Sequence, residues 1–397
     1  VKRVLSIDRG SSSIKFAVYE IGTTHEQRLL EGGVEPLGAA NAALRVRDER
    51  AAEPRETHRP LGNVNPLSAL LSAIRVLGVN VDAVGHRLVY GGLAHEAPAR
   101  VTAELLASLD TLVPFDPLHM PDALAAIRDI ETALPGLPQA VCFDTAFHRR
   151  MPEVAQRLPL PRELWSEGVR RYGFHGLSYE SIVRELGAVG VRGRMIVAHL
   201  GNGASLAAIH DGKPVDTTMG LSPLGGIMMG TRPGDLDPGV LLYLLRKKRY
   251  TPSELGEVLT HGSGLLGVSH ISPDLRTLLA QRAANSAAAE AVELFVYLAK
   301  KSVGALAAVL GGLDTLVFTG GIGEHAVTIR SEIADGLGHL GIRLDAERNA
   351  AGATLISADN GRVKVRVIAT NETRMVARHT WTVLFPSSDE DPADLAD

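Results

Sequence analysis

Short apolar runs separated by clusters of Gly and Ser are the first regularity in this chain. Val4-Leu-Ser-Ile7 reads as a strand and Gly10-Ser-Ser-Ser13 as a small-residue tip. Ile14–Tyr19 is the return strand, which completes a predicted hairpin. The pattern recurs near the middle. Met195–Leu200 is a strand, Gly201-Asn-Gly-Ala-Ser205 a turn and Leu206–Ile209 a return strand, and Asp211-Gly212 turns into a third strand. Two such units roughly half a chain apart predict two related α/β domains. A third unit runs from Thr315-Leu-Val-Phe318 through Thr-Gly-Gly-Ile-Gly-Glu324 into a helix with Ile329, Ile333 and Leu337 on one face. Helical periodicity marks Pro66–Leu77 and Ala289–Leu310. Arg45–Pro60 is so dense in charge that it reads as a solvated excursion, and the acidic tail Ser387–Asp397 reads as disordered.

At 397 residues the chain exceeds the size at which a single core keeps growing, so two domains are expected. A net charge of −4 gives no basic face for nucleic acid. The single cysteine, Cys142, excludes an internal disulfide and a CxxC metal site and fits a reducing compartment. The opening Val-Lys-Arg runs straight into a strand without a signal-peptide pattern, and the apolar stretch 304–321 is broken by Asp314 and glycines. The expected location is therefore cytoplasmic, with no membrane span.

The candidate chemistry sits in the loops. Met219–Pro238 is rich in Gly, Pro and Asp and carries one arginine, Arg232, a combination suited to a backbone bending closely around a small anion. The tips Gly10–Lys15 and Gly201–Gly203 offer clustered N–H groups that suit a polyphosphate, although each alone is equally a plain turn. Gly10–Lys15 lacks the Walker A spacing, and a strand follows it. Three further segments add polar groups near strand ends: Gly85-His-Arg87 following an apolar strand, the stretch with Asp144 after Cys142-Phe143, and His175 between Phe174 and Gly176. A histidine in such a place is more often structural than catalytic. His119 equally fits a turn, and Glu372 a solvated helix start. No HxxxH or HxH pair marks a zinc site.

Taken in order, these segments resemble the acetate kinase family, within the superfamily of acetate and sugar kinases, actin and chaperone ATPases. The resemblance runs from about Val4 to Thr380. Its most specific pieces are GSSSIKF, GHR with GG, DPLHMP, FDTAFH, RRYGFHG, AHLGNGASLAAI, MGTRPGDLDPG, SGLLGVS, FTGGIGEH and ATNE. It implies an α/β chain of two RNase H-like (actin-like ATPase) domains with the nucleotide in the cleft between them. The first domain is expected over 1–144 plus 374–397, including a returning C-terminal helix, and the second over 145–373. The implied reaction is reversible transfer of the ATP γ-phosphoryl group to acetate, giving acetyl phosphate and ADP.

By the same resemblance, Lys15, Ser11 and Ser13 and the loop His199, Leu200, Gly201, Asn202 and Gly203 contact phosphates. Asp274, Leu275 and Arg276, with Gly321, Ile322, Gly323, Glu324 and His325, flank the nucleoside. Asp8 and Glu372 hold Mg²⁺, or Mn²⁺ in its place. Arg87 and Arg232 match the arginines at the carboxylate and the transferring phosphoryl. His175 matches a transition-state stabiliser, Asp144 the catalytic acidic residue and His119 a supporting active-site histidine. Val89, Leu118, Phe174 and Pro223 match the apolar acetate pocket. A homodimer is implied, with no nucleic-acid or membrane partner.

Asp8-Arg9 departs from the family's Asn followed by a small residue, and Arg9 is expected either to pair with Asp8 or to compete with the metal for phosphate. Gly225, Met120 and His325 also depart from the family's usual residues. Two further readings share these motifs: a kinase preferring propionate or butyrate, and an actin- or chaperone-like nucleotide module without a carboxylate substrate.

Overall fold

The computed structural model describes residues 1–10, 13–37, 41–116 and 119–386. Two compact units divide it. One comprises Val1–Ala146 with the stretch from Asn371 onward, and the other is Phe147–Thr370.

The first unit is built on an eight-stranded sheet of β1 (Lys2–Arg9), β2 (Ile14–Ile21), β3 (Glu26–Glu35), β4 (Ala43–Asp48), β5 (Arg55–Pro60), β6 (Ala83–Leu88), β7 (Ala99–Arg100) and β8 (Gln139–Phe143). Their spatial order is β5-β4-β3-β2-β1-β6-β8-β7. Strands β1 to β5 form an antiparallel meander. Strand β6 joins β1 in parallel and β8 joins β6 in parallel. Helices cover both faces, so β8 is buried along its whole length. On one face Leu67, Leu70 and Ile74 of the helix Pro66–Val76 pack with Leu5, Ile7 and Val18. On the other, Ala377 and Trp381 of the helix Glu372–Leu384 pack with Val4, Ala17 and Tyr19.

The returning helix approaches the sheet closely at one glycine. A Cβ at Gly85 would lie 2.0 Å from Thr380 Oγ1 and 2.8 Å from Val376 Cγ1, so this position in β6 excludes a side chain. Tyr19 Oη donates to Asn371 Oδ1 (2.9 Å) and Ser6 Oγ to the Thr373 carbonyl (2.7 Å). Asn371 in turn caps the helix by accepting from Arg374 N. These bonds fix the start of the helix, and with it Glu372, over β1 and β2.

The second unit repeats the plan with β9 (Arg194–Leu200), β10 (Ala204–His210), β11 (Lys213–Thr217), β12 (Thr315–Thr319) and β13 (Lys364–Val367), in the order β11-β10-β9-β12-β13. Again an antiparallel meander, β9 to β11, is continued by parallel strands, here β12 and β13. Tyr179, Ile182 and Leu186 of the helix Gly176–Ala188 pack on one face with Val197, Ala207 and Val317. The helix Ser286–Val309 buries Val292, Phe295 and Val303 and contacts β9, β10 and β11.

Three expectations need correction. Arg45–Pro60 is not a solvated excursion, because it contributes β4 and β5 at the edge of the first sheet. Leu44 and Val46 point inward between Arg45 and Arg47, a period of two hidden by the charges, while all of β5 is exposed. Gly85-His-Arg87 lies inside β6 rather than after a strand. The helix with Ile329 and Ile333 ends at Ala334, before Gly336 with φ 78°, so Leu337 is buried outside it. The tail Ser387–Asp397 lies outside the described residues.

Candidate active site

The polar centre of the first unit is built around Arg87 on β6. Its Nε and Nη2 donate to the two oxygens of Asp144 at 3.0 and 2.5 Å, and Nη1 donates to Asp8 Oδ1 at 2.9 Å. Glu372 Oε2 lies 3.6 Å from Nε. Neighbouring parallel strands bring Arg87 opposite Cys142 in β8, with Asp144 just past that strand's end. Asp8 sits near the end of β1, and Glu372 opens the returning helix.

Burial alone would favour neutral Arg87, but the three carboxylates outweigh it and hold the guanidinium charged far above its ordinary range. Burial pushes the Asp144 carboxyl up. Arg87 opposes that, and the negative charges of Glu372 and Asp8 add to it. Three carboxylates around one guanidinium leave excess negative charge.

Arg9 does not pair with Asp8. Its Nη2 is directed to Asp122 at 3.6 Å, on the helix Met120–Ala133, while Asp8 belongs to the Arg87 cluster. His119 precedes that helix, and its Nδ1 pairs with Asp116 Oδ1 at 3.0 Å. Lys15 is exposed at the start of β2, opposite Asp8 in the β1–β2 register, and Gly10 N donates to the Ser13 carbonyl to close the tip. Val89 is half-buried. Ser11 and Leu118 lie outside the described residues.

The second unit gathers a different set. His175 precedes the helix Gly176–Ala188 with φ 56°, a left-handed conformation costly for a residue with a Cβ. Its ring stacks on His199 at 4.3 Å between centroids. Arg232 Nη1 donates to the Pro223 carbonyl at 2.8 Å, which anchors the arginine within its own Gly/Pro-rich loop. A Cβ built at Gly203 would meet Arg232 Nη2 at 2.8 Å and His175 Nε2 at 3.2 Å. The guanidinium, the imidazole and the glycine tip of the β9–β10 hairpin therefore share one point. Gly201 N donates to the Gly203 carbonyl, and Gly230 N to the Asn202 carbonyl, which ties that tip to the loop carrying Arg232. Leu200, Phe174 and Pro223 are buried.

Asp274 caps the helix Leu275–Gln281 and forms an ion pair with the exposed Arg276, while Leu275 is buried. Gly321 and His325 are exposed on the helix Gly320–His325, with Ile322 half-buried and Gly323 buried. Glu324 accepts from Gly320 N and Thr370 N. A residue that sequence reasoning missed secures this turn. Arg330 is fully buried, and its Nη1 donates to the carbonyls of Gly323 and Glu324. Ser178, Tyr179 and Ser205, which hold the two histidines, were also missed; Ser205 was read only as part of a turn, and nothing in the sequence links it to Tyr179 or His175.

Among the described residues, no group of three or more His, Cys, Asp or Glu is arranged to hold a metal by itself. None of the helices there is long and apolar enough to cross a membrane.

Two α/β units, each an antiparallel meander continued by parallel strands, make up the fold of the acetate kinases, phosphotransferases that take a carboxyl acceptor. The chain belongs to the acetokinase family, which matches residues 3–378. It is similar to acetate kinase of Rhodopseudomonas palustris, with 46% identity over 390 residues that cover 95% of this chain and 97% of the relative. Among solved structures, acetate kinase of Porphyromonas gingivalis superposes with a TM-score of 0.84 at 37% identity, covering 97% of this chain and all of that one. A propionate kinase of Francisella tularensis superposes with a TM-score of 0.88 at 34% identity and the same coverage.

Proposed function

We propose that the chain transfers the γ-phosphoryl group of ATP to acetate, reversibly, giving acetyl phosphate and ADP. The observation that carries this reading is the convergence of Arg232 and His175 on the Gly203 tip. Phosphoryl transfer asks little covalent chemistry of a protein and much countercharge and alignment around the equatorial oxygens. A guanidinium and an imidazole meeting over backbone N–H groups supply both. Arg87 is the residue for the acceptor carboxylate, with Asp144 orienting it. His119, beside Asp116, is a supporting group.

Mg²⁺ fits the first unit's chemistry. Asp8 and Glu372 are hard oxygen donors in a cluster with surplus negative charge, and Mg²⁺ is typically held by one or two carboxylates plus substrate phosphates. When bound, the ion would offset charge on the nucleotide's phosphate oxygens. Mn²⁺ offers the same coordination preference. Lys15, Ser11, Ser13 and 199–203 are proposed for the phosphates. Asp274–Arg276 and 321–325 are proposed for the nucleoside, with Arg330 fixing the latter turn.

For the short acyl chain we assign Val89, Leu118, Phe174 and Pro223 on the family resemblance; within the second unit Phe174 and Pro223 are buried. One methylene alters binding by only roughly 1–3 kcal/mol, so propionate should be a weaker substrate rather than a rejected one. The similarity to a propionate kinase keeps that acid as the competing acceptor. Comparison of kcat/KM for acetate, propionate and butyrate decides between them: a maximum at acetate supports the assignment, and a maximum at propionate transfers it.

We also propose a homodimer in the cytoplasm. The helix Pro238–Arg246 buries none of its residues and exposes Val240, Leu242 and Tyr243, an apolar face suited to a second copy. Sedimentation of the intact chain tests this, a monomer at micromolar concentration being the contrary result.

A further inference from the structure

A buried chain of hydroxyl groups ends on His175. Tyr179 Oη and Ser205 Oγ are 2.5 Å apart, and Ser205 Oγ is 2.8 Å from His175 Nδ1. Tyr179 and Ser205 are both fully buried. The helix Gly176–Ala188 supplies the tyrosine one turn after the histidine, and β10 supplies the serine two residues after Gly203. On the far side of the stack, Ser178 Oγ lies 2.8 Å from His199 Nδ1. Each ring therefore has its Nδ1 engaged by a hydroxyl, and His175 turns Nε2 toward the point shared with Arg232 and Gly203.

We infer that Tyr179 and Ser205 are positioning residues that hold His175 as the neutral tautomer protonated at Nε2, so that the ring presents an N–H donor to the transferring phosphoryl group. This inference rests on the phosphotransfer reading above. A neutral imidazole carries one N–H, and the bond made by one nitrogen decides which nitrogen holds it. The phenol is the more acidic of the two hydroxyls, so Tyr179 donates to Ser205 Oγ. The serine proton is then left for Nδ1. Arg232 beside Nε2 opposes a second positive charge on the ring, as would a charged His199 stacked on it. The reverse direction of the chain would leave a bare Nε2 lone pair facing an anionic phosphoryl group. The left-handed φ of His175 fits the same reading, because backbone strain at such a position persists only where surrounding bonds hold it.

Long-range ¹H–¹⁵N spectra of the full-length protein labelled at histidine, with His175 assigned by its loss in H175A, report the tautomer directly and need no substrate. The expected result is an Nε2–H ring in the wild type that becomes a mixture of tautomers in S205A and in Y179F. Steady-state kinetics should show kcat falling by roughly 10²-fold in S205A, the size associated with one lost transition-state donor, with KM for ATP and acetate little changed. Adding S205A to H175A should lower kcat no further, since the serine acts through the histidine. Y179F removes a single oxygen and provides the same readings if S205A folds poorly. An Nδ1–H ring in the wild type overturns the inference, as does a tautomer and kcat unchanged in both variants. Failure of the wild type to make any acyl phosphate would refute the functional reading while leaving the tautomer result standing.

Discussion

Arg87 and Asp144 form a two-point ion pair across neighbouring parallel strands, with Asp144 almost wholly buried and the shorter bond at 2.5 Å. Asp144 engages two of the guanidinium nitrogens and Asp8 the third, so the carboxylates around it fix the plane of the guanidinium. Replacing Asp144 by Ala should lower kcat by roughly 10²-fold or more. The stability cost should be less than the roughly 3–5 kcal/mol of breaking an isolated buried pair, because Asp8 and Glu372 still face Arg87. Urea denaturation and acyl phosphate assays of D144A read the two effects separately.

Gly203 offers a probe of the second unit. The Cβ of G203A would press on the ends of Arg232 and His175, both of which can swing away. Activity should fall at least tenfold while the thermal midpoint moves little, since the new methyl meets only the ends of two side chains that can yield, and the roughly 1–3 kcal/mol of overpacking arises where the neighbours cannot. Wild-type turnover in G203A would show that the two tips need not meet there.

Gly85 predicts the opposite separation. In G85A the new methyl meets Thr380 and Val376 of the returning helix, so stability should drop by about 1–3 kcal/mol or more. T380A in the same chain removes the closest atom and should recover part of the loss. Denaturation of the single and double variants measures it.

Two histidines make stability depend on pH. His86, paired with Gln139, and His148, paired with the Phe174 carbonyl, are each held down to about 4, chiefly by burial. Unfolded histidine titrates near 6.5, so between about 6.5 and 4 the unfolded chain binds more protons than the folded one. Their contribution is full above pH 6.5 and is lost as pH falls toward 4, up to roughly 3 kcal/mol for each. H86Q should flatten the rise of unfolding free energy between pH 4.5 and 6.5, and an unchanged slope would exclude His86 as its source.

The periods and the glycine tips carried most of the fold. The returning helix came only from the family resemblance, whereas both hairpins and the strand Thr315–Phe318 were legible because their strands are mostly apolar and their turns are built of small residues. Strands β4 and β5 were not. A strand at a sheet edge needs only Leu44 and Val46 inside, and its remaining positions follow solvent, so the charges concealed the alternation. Of the candidate site, Arg87 and Arg232 stood out as charge beside glycines and Asp144 as a carboxylate at a strand end, while the role expected of His175 came from the resemblance. Arg330 and the Tyr179–Ser205 chain did not stand out, since what marks Arg330 is burial and bonds to backbone carbonyls, and what marks the chain is a partner distant in sequence. The pairing of Arg9 with Asp122 instead of its neighbour Asp8 was likewise invisible, because Asp122 is remote in sequence and Asp8 is engaged by Arg87.

Arg232 tests the central claim most directly. Phosphorus NMR of the wild type and of R232A, each with ATP, Mg²⁺ and acetate, follows acetyl phosphate as it forms. The wild type should produce it, and R232A should be slower by roughly 10³–10⁵-fold, the contribution of an arginine placed against a transferring phosphoryl group. An absence of acyl phosphate from the wild type, or equal rates from the two proteins, would contradict the account.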